Sequence, residues 1–351
     1  MTDDRQQHAD PGPTASRRRV LATAALAPVL TGAIGAVSPA RAATAGPGAD
    51  PVHTPVAPVM TELADWADVG AALGAPGGMK RFMYHTPLLR RDLHVVSRGI
   101  MINPALALGT HLSFVRYADG NSLLMGDAVV TERELQPFSD ALNEHGIGQT
   151  AIHKHLLAQR PDVWWCHLHA HGTDPVAVAR GLRAALDRTA TPFPKTRAAF
   201  AVPPAVPPGV PPGVRFDLDT AAIDAALGVK GTADSGVYQS TFVRREAITD
   251  GHLLLPPGLG STTSFNFQPL GRGRAAVSGD FAVIADEVQD VLTGLRRGGA
   301  DLVELHHHNL NDQPRLFFVH YWAVGDAVTL ARRLRPVVDA TNVAPMKGTG
   351  A

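Results

Sequence analysis

The chain has 351 residues, with 32 basic and 32 acidic side chains and a formal net charge of zero. That balance gives no basic stripe of the kind a nucleic-acid-binding protein carries, and the single cysteine, Cys166, excludes both an intrachain disulfide and a Cys-rich zinc module. The length fits about two domains, the 45% hydrophobic content can fill their cores, and the sixteen histidines fall in clusters.

At the start, SRRRVL (residues 16–21) precedes an apolar run from Leu21 to Val37, and Ala40-Arg41-Ala42 offers a small-residue cleavage site. Paired arginines before a moderately apolar stretch read as a twin-arginine signal peptide over residues 1–42, recognised by the Tat translocase. The run is too rich in Ala, Gly, Pro and Thr to make a good membrane span, and no cysteine at the cleavage site provides a lipid attachment point. A secreted, extracytoplasmic mature chain without a membrane anchor is therefore expected. Residues 43–60 read as a flexible lead-in.

The first folded unit is expected over residues 61–195. TELADWADVGAALG has Leu63, Trp66 and Val69 on one helical face. MKRFMYHTPL and LHVVSRGIMI alternate as strands, and HLSFVRYADGNSLLMGDAVV reads as a hairpin turning at Asp119-Gly120-Asn121. TERELQPFSDALNEHG is a helix with Leu135, Phe138 and Leu142 inward and Gly146 as its stop. Then comes AIHKHLLAQRPDVWWCHLHAHG. Alternate residues of a strand share a face, so His153 and His155 form one set and His167, His169 and His171 another, on two strands joined by a short connector containing Pro161. Asp174-Pro175 supplies an N-cap and a first-turn proline for VAVARGLRAALD.

The unit then recurs. His153, His155, Pro161 and His167 find His306, His308, Pro314 and His320, each 153 positions later, and Gly126-Asp127, Glu134 and Gly146 find Gly279-Asp280, Glu287 and Gly299 at the same shift. A shift held over so long a span marks an internal repeat, with a proline-rich linker over residues 196–217, a second repeat over 218–345 and a tail over 346–351. The expected fold is α+β: two tandem pseudo-symmetric repeats, each a mainly antiparallel sheet with helices packed on one face and a β-β-α-β-β-α core. Trp164, Cys166 and Leu168 suit the helix-packed face, which leaves the histidines on the opposite one. Two such faces meeting across a pseudo-twofold would form a histidine-lined cleft. The copies are unequal, since His169 becomes Trp322 and His171 has no counterpart. The first copy is accordingly the expected active one, and the second a scaffold or weaker site.

GDAVVTERELQPFSDALNEHG, HKHLLAQRPDVWWCHLH and DPVAVARGL, with their second-copy partners GDFAVIADEV, HHHNLNDQPRLFFVHYW and DAVTLARRL, resemble a bacterial family of secreted proteins named after the mycobacterial LppY and LpqO lipoproteins, a domain of unknown function often present twice. The resemblance implies a motif of a histidine pair, a downstream proline and a further histidine. It maps onto His153, His155, Pro161 and His167, and onto His306, His308, Pro314 and His320. The lipoprotein cysteine is missing here, so tethering does not carry over, and the family implies no reaction.

Imidazole is the commonest protein ligand for transition metals. His153, His155, His167 and His169 are the expected ligands of one centre, and His306, His308 and His320 of the other. The ion would be Zn first, with Cu, Fe or Ni as alternatives. His171 reads as a loop residue and the lone His94 and His111 as bystanders. Metal-bound hydroxide needs an acid or base nearby. Glu134 is the candidate, although Thr131-Glu132-Arg133-Glu134 also fits a capping box. Asp127 and Asp280 read as turn residues. No G-x-S-x-G, Walker, H-E-x-x-H or Rossmann motif is present. The expected function is an exported metal-dependent hydrolase or lyase acting on a small molecule or cell-envelope component. The alternative is a non-catalytic metal-sequestering or delivery protein, or a cell-wall ligand-binding module.

Overall fold

A computed structural model describes residues 54–194 and 216–346. The signal-peptide segment and the proline-rich stretch at 202–214 lie outside the described residues. Among the described residues no helix is long and apolar enough to cross a membrane.

Each repeat is one antiparallel sheet with helices on one face. In the first repeat, helix α1 (Ala67–Leu73) leads into strands β1 (Gly78–Lys80), β2 (Met83–Leu89), β3 (Gly109–Arg116) and β4 (Ser122–Thr131). Helix α2 (Glu132–Glu144), β5 (Gly148–His153), β6 (Val163–Gly172) and α3 (Pro175–Leu186) complete it. The strand order is β1-β2-β3-β4-β6-β5. The second repeat has α4 (Thr220–Leu227), β7 (Thr232–Asp234), β8 (Val237–Arg244), β9 (Thr262–Gly271), β10 (Arg274–Val283), α5 (Val288–Gly298), β11 (Asp301–His306), β12 (Phe317–Asp326), α6 (Ala327–Asp339) and β13 (Val343–Pro345). Its order is β7-β8-β9-β10-β12-β11, with β13 added beside β8. The β-β-α-β-β-α core is thus present twice.

Alternation along the strands explains the layers. On β6, Cys166 and Leu168 join the core that α1, α2 and α3 form with the sheet, built around Trp66, Phe114, Phe138 and Leu182. Burial pushes the Cys166 thiol up to about 12, which keeps it an inert core residue. The second repeat has the matching core around Phe265, Phe281, Tyr321 and Leu334. The opposite registers meet between the sheets in two mixed clusters. One joins Val115, Leu123 and Met125 to Leu253, Ala282 and Phe318. The other joins Val129, Val163 and Trp165 to Val237, Ala276 and Trp322. Helices are therefore outside, and the two sheets face each other.

Local chemistry sets the ends. Asp174 accepts from the backbone N–H groups of Val176 and Ala177 at 3.0 and 2.9 Å, capping α3. Asp119 holds the hairpin turn by accepting from the Asn121 N–H at 3.0 Å, and Gly120 takes the positive φ of 85° that the turn requires. The sequence stretch MKRFMYHTPL divides into two strands at Arg81, which turns at φ 53°. LHVVSRGIMI forms a small hairpin, Val96–Ser97 with Ile100–Met101, beside Gln159–Arg160 rather than a strand of the main sheet. Its few residues are spent on a tight turn at Arg98-Gly99, both at positive φ.

Candidate metal centre

Between the sheets, six imidazoles from two repeats pack into one cluster. His153 lies at the end of β5 and His306 at the end of β11, and their rings stack at 3.8 Å between centroids. His155 and His308 follow in the loops. His167 and His320 sit mid-strand on β6 and β12. The spacings repeat under exchange of the copies: His155 to His320 is 4.0 Å and His308 to His167 is 3.9 Å. His153 to His167 is 4.7 Å and His306 to His320 is 4.9 Å. A pseudo-twofold axis therefore runs between His153 and His306. Both repeats supply rings to this one cluster, where the sequence leads to the expectation of a first-copy site with the second copy as scaffold or weaker site.

The tautomers are set from the strand behind. His167 Nδ1 donates to the Gly126 carbonyl at 3.4 Å, and His320 Nδ1 donates to the Gly279 carbonyl at 3.2 Å. Each bond leaves Nε2 as a lone pair, the arrangement by which a second partner orients a metal-ligating histidine. Both Nε2 atoms are buried and without a hydrogen-bond partner, as are His308 Nε2 and both ring nitrogens of His306. His153 Nε2 and His155 Nε2 stand 2.8 Å apart. Two groups, His153–His155–His320 and His153–His167–His306, bring their donor atoms within 4.8 Å of one another, the reach of a single ion. Burial holds His167 down at about 3 and His320 at about 4, and pushes His153, His155 and His308 well below the ordinary imidazole value. The rings are thus neutral and ready to donate.

A cavity of about 270 Å³ opens beside the cluster, lined by His155, His167, His308 and His320. Asp127 and Asp280 also line it. They are not turn residues. Asp127 lies mid-strand in β4 directly opposite His167, and Asp280 lies in β10 opposite His320. A strand that continues past Gly-Asp defeats the local turn signal, because tertiary pairing outweighs propensity. Enclosure raises the Asp127 carboxyl well above its ordinary range, with the Asp280 charge adding to it, and burial raises Asp280 to about 6. Ser264 donates to Asp280 at 2.5 Å. The second repeat also supplies hydroxyl and amide walls from Ser264, Asn266, Ser278 and Gln239. An adjoining pocket of about 390 Å³ shares His111 and Gln239 and adds Lys80, His85 and Arg91. His111, read as a bystander because it stands alone in its strand, is therefore part of the cavity wall and stacks on His85 at 5.4 Å.

Three other expectations are corrected. Glu134 is outside the cavity lining. Its carboxylate accepts from Arg90, from the Thr131 N–H at 2.8 Å and from the Ala190 N–H at 2.8 Å, which fills its hydrogen-bonding capacity. Glu287 does the same for Arg244 in the second repeat. Both arginine side chains are fully buried, so the recurring glutamate follows from charge compensation. His169 leaves the central cluster, because its position two residues past His167 carries it along β6 away from those rings to Asp250, which accepts its hydrogen bond. His171 lies on β6, not in a loop, and points to the same Asp250. No sequence pattern marks Asp250 or the wall residues, because their partners lie far along the chain.

Residues 67–188 and 221–340 both match the family described as Domain of Unknown Function (DUF1259), so the domain is present twice. The chain belongs to this family. No curated protein matches it. Among solved structures, EtuB from Clostridium kluyveri is 12% identical, covering 77% of this chain and 95% of its own, with a TM-score of 0.18. The trimeric microcompartment shell protein PduB is 10% identical over 75% of this chain and 92% of its own, with a TM-score of 0.17. The double-ringed trimeric shell protein MSM0271 is 12% identical over 62% and 82%, at 0.16. Likenesses this low carry no argument.

Proposed function

We propose that the chain is an exported metalloprotein that holds a transition ion in the central histidine cluster and uses it in hydrolytic or lyase chemistry. Zn is the first choice for all-nitrogen ligation, with Cu, Fe or Ni as alternatives. The observation that carries this reading is the set of buried lone pairs. His167, His306, His308 and His320 each keep an Nε2 without a hydrogen-bond partner. Leaving a polar atom buried and unpaired costs about 1–3 kcal/mol each. A shared ion removes that cost for several rings together.

A bound ion would lower the pKa of a coordinated water to about 7 and supply hydroxide. Asp127 and Asp280 stand in the same cavity as the histidines and take the acid and base roles. A cavity of about 270 Å³ walled by serine, asparagine and glutamine suits a small polar molecule or the tip of an envelope component. Such a space beside the donors favours an enzyme over a carrier, which needs no room for a substrate. The resemblance to the LppY and LpqO proteins and the SRRRVL segment support export through the Tat route.

Elemental analysis of tag-free protein exported by its native host tests the metal. His155→Ala and His167→Ala should each lose most of the bound metal, and His94→Ala, at an exposed loop position, should keep it. Equal metal in all three variants would overturn the assignment. For the catalytic half, the cobalt-substituted protein should change its visible spectrum on adding azide, because an enzyme keeps an open coordination position. A silent spectrum would point to a saturated store.

A further inference from the structure

We infer that His169, His171 and Asp250 form a second metal site, distinct from the central cluster, which takes a divalent first-row transition ion and clamps the two repeats together. His169 and His171 are neighbours on one face of β6, with ring centroids 4.6 Å apart. Asp250 comes from the second repeat, on a short strand (Thr249–Asp250) that pairs with Asp312–Gln313. Its Oδ2 lies 2.5 Å from His169 Nε2 and 2.9 Å from His171 Nε2. Donors bound at about 2.0–2.2 Å to one ion stand roughly 3 Å from each other, so small outward movements admit the ion. Two imidazoles and one carboxylate form a ligand set suited to zinc or ferrous iron. The carboxylate is 1% exposed and the His171 side chain 34% exposed, which gives a buried anchor and a solvent route for the ion.

A second observation points the same way. Asp312, the strand partner of Asp250, is itself buried, and its Oδ1 has no hydrogen bond; Arg315 Nε stands 3.3 Å away, off hydrogen-bond line. The Tyr117 hydroxyl, within the field of Asp250, is also buried and unpartnered. Arg315 pairs with Asp312 from the solvent side, and an ion held at Asp250 would offset the repulsion that remains between the two buried carboxylates.

The pseudo-symmetry supplies the comparison. At the related contact Trp322 replaces His169, and Ser97 and Gln159 form the paired strand positions in place of Asp250 and Asp312. Trp322 packs there against Val95 and Ile102 in an apolar cluster. One inter-repeat contact is thus sealed by an apolar side chain, and its twin carries the His-His-Asp donors.

The test uses tag-free full chain, stripped by chelator and dialysed against Zn²⁺, with Mg²⁺ as a control that an imidazole-rich site should refuse. Asp250→Asn should hold about one metal ion fewer per chain than the parent, and so should His171→Ala, whose rim position spares the fold. In a His153→Ala/His306→Ala background, which removes a donor from both central groups, Zn²⁺ should still raise the midpoint of thermal unfolding, and adding His171→Ala should remove that rise. Unchanged stoichiometry in both single variants, or a zinc-dependent rise that survives His171→Ala, overturns the site. Loss of the central ion in the double variant leaves this result readable, so the two assignments fail independently.

Discussion

The two repeats contribute equal shares to the central cluster and unequal shares to much of the cavity wall and the outer contacts around it. His153, His155 and His167 have His306, His308 and His320 as mirror partners, and the ring spacings agree across the axis within a few tenths of an ångström. Away from the axis the likeness becomes partial: Asp127 still matches Asp280, but other wall positions differ. His111 in the first repeat faces Ser264 and Asn266 in the second across one cavity. Positions on the axis are constrained by both copies at once, because each ring packs against rings from the other half. Positions off the axis meet only one environment and can diverge into wall, entrance or clamp.

The sharpest way to break this comparison is to remove equivalent rings one at a time. If the second repeat were scaffold, His320→Ala would retain metal and His167→Ala would not. The shared cluster predicts that both lose it, with affinity falling by more than ~100-fold, beyond the 10–100-fold typical of losing an outer-shell partner. Competition against a chelator of known affinity measures both.

Acid comes next, and the sign follows from burial. The unfolded imidazoles bind protons near pH 6.5, and folded His167 and His320 resist them down to about 3 and about 4. Between those limits the unfolded chain binds more protons. Stability of the metal-free protein is therefore full above pH 6.5 and is lost progressively as pH falls towards 3. Denaturant unfolding at several pH values should show the decline, and replacing His167 and His320 by Gln should flatten it. A stability that holds level from pH 7 to pH 4 would contradict neutral buried rings.

The Arg–Glu pairs distinguish structure from chemistry. Removing one partner of a buried ion pair costs about 3–5 kcal/mol, and Arg90 and Arg244 are both fully buried. Asp92 and Glu246 still pair with the two guanidiniums, so Glu134→Ala and Glu287→Ala should each destabilise towards the lower end of that range in denaturant melts, leaving the metal content of the folded fraction unchanged. A variant with normal stability and altered metal would return Glu134 to the site.

These cases show what the sequence made legible. The 153-residue shift and the alternating histidines establish the duplication, the sheet faces and all six of the cluster's rings, since those signals are periodic and local. The grouping of the rings was hidden. Alternation placed His169 with His167, yet the two stand 2 residues apart along a strand that spans two contact regions, and Asp250 is 81 positions away. Asp127 misled for a related reason: Gly-Asp resembles a turn, and only its pairing with β6 shows it to be mid-strand. Long-range partners, not residue type, decide these positions.

Gly126 and Gly279 carry the finest version of the comparison. Each offers the carbonyl that fixes the tautomer of a cluster histidine. A Cβ on Gly279 would lie 2.0 Å from the Ser264 carbonyl oxygen, and one on Gly126 would lie 2.9 Å from the His111 carbonyl oxygen. Both contacts are with backbone of a paired strand, which cannot swing aside, and the first is far tighter. Overpacking costs about 1–3 kcal/mol, so Gly279→Ala should sit at or above the top of that range and Gly126→Ala lower in it. Because the shifted carbonyl also releases His320 Nδ1, Gly279→Ala should weaken metal binding more than Gly126→Ala does. Metal titrations of the two variants, each checked for folding by circular dichroism, give the ranking. The reverse order would mean that the carbonyl bond does not orient the ring.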